Sequence, residues 1–238
     1  GLGKLTPIYI IDAYTTERGE ERFVKYFQGR QVEGYIPDPS KHKKPKKVAL
    51  IVGNGAYMSS RLENSVEDSR GMAKTLENLG FKVIHKVNLK KQSFIESIWE
   101  FSDQVALLGP DTTALFFYSG HAVQFDEKNY LIPIDSNMNS QKDVELEAIN
   151  SDLILRALGN AFTGTKILIL DACRNNPFIS ETKSSSGGLA PMSSSVGTFI
   201  GYATGPGKVA LDGTSQGYSV YTGNLINAIN TPGLTIEQ

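Results

Sequence analysis

The chain has 238 residues, 40% of them hydrophobic, which is enough for one full-sized core with an N-terminal extension. Its 24 basic and 25 acidic side chains leave a formal net charge of -1, which excludes a global field for nucleic acid or an anionic membrane. A single cysteine excludes an intramolecular disulfide, no run reaches the roughly 18 apolar residues of a bilayer span, and the N-terminus lacks a signal-peptide pattern, so a soluble, cytoplasmic protein is expected.

Residues 1–46 read as an extension or linker that leans on the main domain. One short strand is predicted at 8–11 (IYII), and a polar stretch over 29–47 is broken by Pro37, Pro39 and Pro45. The basic run at 41–47 (KHKKPKK) reads as a solvated linker. From 47 the text becomes regular. Residues 48–52 (VALIV) form a continuous apolar run, the pattern of a strand covered on both faces. The spacing of Val66, Met72, Ala73, Leu76 and Leu79 predicts a helix over 64–79, with Gly80 as its C-cap. A strand at 81–87 and a helix at 93–108 follow, the helix closed by Gly109-Pro110. Residues 113–118 (TALFFY) predict a third strand, 129–133 a small hairpin element, 152–161 a helix, and 166–170 (KILIL) a fourth strand. A fifth strand falls at 198–203 and a last helix at 217–229.

This alternation predicts an α/β fold with a mostly parallel central sheet of about six strands and helices on both faces. Two insertions interrupt it: a polar, loop-like stretch at 135–147, and a Ser/Gly-rich one at 177–197 that buries too little apolar surface to order itself firmly. The main domain, 47–238, therefore divides into a large portion (47–176), a connecting loop (177–197) and a small portion (198–238).

Ligands of open parallel sheets bind beyond the carboxyl ends of strands. Two predicted strand ends carry reactive side chains: the third runs into Ser119-Gly120-His121-Ala122 and the fourth into Asp171-Ala172-Cys173-Arg174. If the strands are neighbours, an imidazole and a thiol face one crevice. A thiol with a pKa of about 8.5 is only a few per cent ionised at neutral pH, and a nearby imidazole takes its proton and later protonates a leaving amine. Gly120 is read as the residue that lets the chain turn sharply beside His121. No G-x-S-x-G elbow is present, and three His and one Cys lack zinc-ligand spacing. Gly53-Asn54-Gly55 hints at phosphate binding but lacks the third glycine.

These segments, Tyr118-Ser119-Gly120-His121-Ala122 and Leu170-Asp171-Ala172-Cys173-Arg174-Asn175, resemble the His and Cys motifs of caspases, and more closely those of bacterial metacaspase-like peptidases, the orthocaspases. The likeness extends to Val52-Gly53-Asn54 with Tyr57, to residues 62–68, to Asn129-Tyr130-Leu131-Ile132-Pro133 and to Gly201-Tyr202-Ala203-Thr204; residues 1–46 lie outside it. The resemblance implies a caspase-like fold and a cysteine endopeptidase. His121 is then the general base, Cys173 the nucleophile, and the amides of Ala122 and Cys173 the oxyanion hole. Tyr202, Ala203 and Thr204 match the segment that pairs with an extended substrate. Asp68 and Asp171 match the acidic pocket by which metacaspases hold Arg or Lys, with Ser65 as a further pocket residue. Carboxylates facing a cationic side chain would form charge-assisted hydrogen bonds. Arg61, near where caspases place a pocket arginine, keeps an Asp preference open.

Lys183 is a candidate self-cleavage site in the connecting loop, and zymogen control or an activating partner or adaptor domain fits the same family pattern. Protein or peptide substrates are expected, with no metal or other cofactor, no nucleic acid and no membrane. Calcium activates some metacaspases, but Asp135, Asp143, Glu145 and Glu147 do not have EF-hand spacing and read as an acidic loop. The rival class is a catalytically silent caspase-like module that binds peptides or partner domains. Ala122 stands where caspases have glycine, a departure a backbone donor tolerates if its φ/ψ accommodates a Cβ.

Overall fold

The computed structural model describes residues 10–15, 21–27, 30–31, 46–58, 60–161, 164–173, 189–190, 192, 197–203, 214–215 and 217–234, with the backbone alone at some of them. The chain divides into two compact units, Gly1–Pro45 with Gly233–Gln238, and Lys46–Pro232.

In the first unit β1 (Ile10–Thr15), β2 (Glu21–Phe27) and β3 (Arg30–Gln31) form an antiparallel sheet, with Ile10 opposite Tyr26 and Phe27 opposite Arg30. The single short strand expected at 8–11 is therefore one of three. Phe23, Val24, Tyr26 and Phe27 are the β-branched and aromatic residues that favour a pleated surface.

The second unit runs β4 (Lys46–Gly53), α1 (Ser65–Asn78), β5 (Lys82–Val87), α2 (Lys91–Leu108), β6 (Thr112–Phe125), β7 (Lys128–Leu131), α3 (Gln141–Glu147), β8 (Ile149–Asn150), α4 (Asp152–Ala161), β9 (Lys166–Cys173), β10 (Thr198–Tyr202), β11 (Thr214–Ser215), β12 (Tyr218–Ser219) and α5 (Val220–Ile229). Five strands lie parallel in the order β10-β9-β6-β4-β5, and β7 and β8 extend the sheet antiparallel from β6. The fold is the α/β arrangement the sequence implied, a mostly parallel sheet with helices on both faces, here of seven strands.

Period-2 alternation decides which helices cover which face. Val48, Leu50 and Val52 pack with Phe94, Ile98 and Phe101 of α2 and with Ile154 and Leu158 of α4. Ala49 and Ile51 on the other face pack with Met72 and Leu76 of α1, where Leu225 and Ile226 of α5 join them. Both faces are dry, which is why β4 reads as an unbroken apolar run. Gly80 (φ 81°) and Gly109 (φ 91°) end α1 and α2 in the left-handed region open to glycine. Among the described residues no helix is long and apolar enough to cross a membrane.

Three expectations need correction. The third strand does not end at Tyr118; β6 continues straight through Gly120 and His121 to Phe125. The loop expected at 135–147 contains α3, whose start is fixed by the Asp143 carboxylate accepting the N–H groups of Asn139 and Ser140, both at 2.8 Å. Asp135, in the same stretch, accepts the Lys91 N–H at the start of α2 (2.9 Å). Finally, the far end of the 177–197 connector is packed into the core, because Leu189 and Ala190 are both buried.

Candidate active site

The chain order of the parallel strands reverses between β4 and β6, and in such sheets ligands usually bind beyond the carboxyl ends of the strands at that point. β6 outruns β4 there. A tight turn at Asp126 (φ 48°) and Glu127 (φ 58°) sends β7 back along it, so β7 takes over the edge that β4 vacates. The last rung from the β4 side is Asn54 N–H to Ser119 O (2.9 Å), and the first from the β7 side is Ile132 N–H to His121 O (3.0 Å).

His121 sits at this handover, 5% exposed. Its Nε2 donates to the carbonyl of Ser60 at 2.6 Å; because a carbonyl can only accept, the ring proton resides on Nε2. Ser60 itself has φ 59°, a left-handed conformation that aims its carbonyl at the imidazole. Tyr57 packs against the imidazole with ring centroids 4.5 Å apart, and its hydroxyl accepts the His121 N–H at 3.0 Å. Gly120 is not a turn residue. A Cβ there would lie 2.5 Å from Tyr118 Oη and 2.8 Å from Tyr57 Oη, so the position requires space.

Cys173 is the last residue of β9 and the register partner of His121 in β6; neighbouring strands lie about 4.8 Å apart. Its side chain lies outside the described residues. Since Ile132 donates to His121 O, the facing pair Ala122–Leu131 is of the non-hydrogen-bonded kind, and the Ala122 N–H leaves the opposite edge of β6, the edge along which β9 runs.

On the face bearing α1 and α5, two carboxylates converge on one serine. Asp68 (1% exposed) accepts the Ser219 N–H at 2.7 Å and the Ser119 hydroxyl at 3.1 Å. Asp171, also buried, accepts the hydroxyls of Ser219 and Thr222, both at 2.6 Å. Ser219 caps α5 and so holds its backbone N–H toward Asp68 while its hydroxyl reaches Asp171. Burial pushes the Asp68 carboxyl up to about 6, against hydrogen bonds that favour its charge, with the Asp171 charge adding to the rise. Burial likewise raises Asp171, opposed by its Ser219 and Thr222 bonds. Two buried acids are costly unless a cation joins them. Asp171 Oδ1 accepts no hydrogen bond among the described residues.

Of the other predicted site residues, Ser65 is buried at the start of α1, one turn before Asp68. Tyr202 turns its hydroxyl toward the connector, donating to Ala190 O (3.3 Å) and accepting from Met192 N–H (3.2 Å), and the Ala203 N–H donates to Leu170 O (3.0 Å). Thr204 and Lys183 lie outside the described residues. Arg61 is exposed. The phosphate reading of Gly53-Asn54-Gly55 fails, because its amides are already engaged: Gly55 and Ala56 N–H donate to Asn88 Oδ1 at 3.0 and 2.9 Å, and Asn54 N–H to Ser119 O. No group of three or more potential metal-ligating side chains occurs among the described residues.

Sequence reasoning missed Ser60, Ser219 and Thr222, and it quoted Tyr57, Tyr118 and Ser119 without giving them a role. Ser219 opens a helix in N-cap fashion, but nothing local says that its partners are acids 48 and 151 residues away.

A parallel sheet covered on both faces defines an α/β protein, with a candidate site at the ends of β6 and β9. Residues 46–238 match the caspase domain, and the chain belongs to that family of cysteine peptidases. Among solved structures it is similar to protein GSU0716 from Geobacter sulfurreducens (20% identity, TM-score 0.44, 54% of this chain and 51% of that one). It is also similar to the Drosophila initiator caspase Dronc (17% identity, TM-score 0.49, 77% of this chain and 64% of that one). The chain thus spans about half of the first and less than two thirds of the second. No curated protein matches it.

Proposed function

We propose that this chain is a cysteine endopeptidase of the metacaspase-like type that cleaves after Arg or Lys. Cys173 is its nucleophile and His121 its base. The observation that carries the reading is the convergence of two buried carboxylates, Asp68 and Asp171, on Ser219 at the strand ends where His121 and Cys173 are register partners. A guanidinium or ammonium would neutralise the pair and use the remaining acceptor capacity of Asp171.

In the chemistry that follows, the thiol proton passes to His121 Nδ1, the nitrogen left basic when Nε2 donates to Ser60. The thiolate sulfur bonds to the scissile carbonyl carbon, and the Ala122 N–H, directed toward β9, supports the oxyanion together with the Cys173 N–H. Collapse breaks the C–N bond, His121 gives its proton to the leaving amine, and water then hydrolyses the thioester by the reverse proton path. The imidazolium formed midway is stabilised by the Ser60 carbonyl. An acidic pocket also makes Lys183 a substrate for the protein's own site, which fits zymogen control through the connector.

A fluorogenic peptide panel differing only in the residue before the cut tests this. Cleavage after Arg and Lys, absent after Asp and absent in Cys173→Ala, is expected. Equal rates with Cys173→Ala, or a preference for Asp, would overturn it.

A further inference from the structure

The main chain of His121 is held by two buried tyrosines that the chemistry above does not use. Its N–H falls between the last β4 rung and the first β7 rung, and Tyr57 Oη accepts it at 3.0 Å. Its carbonyl accepts from Tyr118 Oη at 2.8 Å, and the two phenolic oxygens are 3.1 Å apart. Each phenol has one proton to give. Of the two assignments that give each hydroxyl a donor and an acceptor bond, the one using the shorter contact runs from His121 N–H to Tyr57, Tyr57 O–H to Tyr118, and Tyr118 O–H to His121 O at 2.8 Å, in preference to Ile132 O at 3.1 Å. Ile132 O, 3.1 Å from both hydroxyls, is served separately by Asn54 Nδ2 at 3.3 Å. The result is a closed ring of three hydrogen bonds that begins and ends on the peptide groups of one residue, a geometry in which each bond polarises the next.

Burial raises both phenols, Tyr57 up to about 12, so neither ionises near neutral pH and both act as fixed hydrogen-bonding groups. Tyr57 alone also touches the imidazole, at 4.5 Å between ring centroids. Gly120, whose Cβ would strike both hydroxyls, keeps the ring closed.

We infer that Tyr57, through a hydrogen-bond ring closed by Tyr118, is a positioning residue that sets the His121 imidazole against Cys173. The inference rests on the dyad reading. Without the Tyr57 hydroxyl the strand loses its rung at His121, and small displacements at a dyad are costly: a shift of about 1 Å can cost about 100-fold.

The test follows the rate of Cys173 alkylation by iodoacetamide across pH 4–9, together with kcat and KM on an Arg substrate, in the wild type and the His121→Ala, Tyr57→Phe and Tyr118→Phe variants. The chain has one cysteine, so alkylation reports that thiol alone. With an imidazolium beside it, the wild-type thiolate should persist well below the ordinary value of about 8.5, and His121→Ala should restore that value. Tyr57→Phe should move the acid limb up by about half to one pH unit and lower kcat about tenfold with KM unchanged. Tyr118→Phe should move it less, because His121 O retains the Ile132 N–H. A residue that only supported the fold would lower the melting temperature and leave the alkylation profile in place; a Tyr57→Phe profile superimposed on the wild type therefore overturns the inference. Should Tyr57→Phe fail to fold, Tyr118→Phe decides alone: a small upward shift supports the ring and a superimposed profile rejects it. An unchanged profile in His121→Ala rejects the dyad reading, and the inference with it.

Discussion

Replacing Asp68 by Asn should stabilise the protein while crippling it. The Asp68 carboxyl sits at about 6 against an ordinary 3.8, so between those values the folded chain binds more protons than the unfolded one. Stability therefore falls as pH rises from 3.8 to about 6, and the full penalty stands above 6. At about 1.4 kcal/mol per pH unit the penalty is on the order of 3 kcal/mol. Burying the amide in its place keeps part of that cost, leaving a gain of about 1.5 kcal/mol. The amide preserves the geometry, since its oxygen can accept the Ser219 N–H and its NH2 can donate to Ser119 Oγ. For a domain of this size the gain corresponds to a melting temperature about 3–6 °C higher at pH 7.5, fading by about pH 4. Cleavage after Arg should fall about 10- to 100-fold with loss of the charge-assisted bond. Thermal melts by circular dichroism from pH 4 to 8, with kcat/KM on the same samples, check both halves. A variant less stable at pH 7.5, or equally more stable at pH 4 and 7.5, would refute the linkage argument.

Asn129→Ala removes two buried bonds to the Ala190 backbone, at 2.6 and 2.8 Å, and should cost about 1–3 kcal/mol and speed proteolytic nicking between 174 and 192, mapped by mass spectrometry. Gly120→Ala should lower both stability, by about 1–3 kcal/mol, and turnover, because its Cβ drives into two tyrosine hydroxyls; a fully active and equally stable variant would refute the steric argument. Gly71→Ala puts a Cβ 2.5 Å from the Tyr218 ring and should push α1 away from the segment that carries Ser219, raising KM for a basic substrate in steady-state assays.

What could be read from the sequence follows burial. β4 and β9 lie between two apolar layers, so their runs are unmistakable, and α4 occupies the very residues its periodicity marked. β6 beyond Tyr118 was hidden, because Ser119, Gly120 and His121 look like a turn. Ser119 and His121 are buried polar residues whose partners, Asp68, Tyr57 and Ser60, come from distant segments. α3 buries only Val144 and depends on Asp143 at its start, leaving no stripe to detect. Asp68 and Asp171 were legible through motif resemblance, and the structure brings them together; the serine that joins them lies outside those motifs and is visible only in three dimensions.

The central claim is that a basic residue is held by Asp68 and Asp171 while Cys173 attacks the carbonyl beside it. The most direct measurement is intact-mass and peptide-mapping analysis after treatment with two peptidyl chloromethyl ketones that differ only in ending with Arg or Asp. The account predicts a single adduct on Cys173 from the Arg probe, strongly reduced in Asp171→Asn and absent in His121→Ala. Equal labelling by the Asp probe, or Arg-probe labelling at any residue other than Cys173, would contradict it.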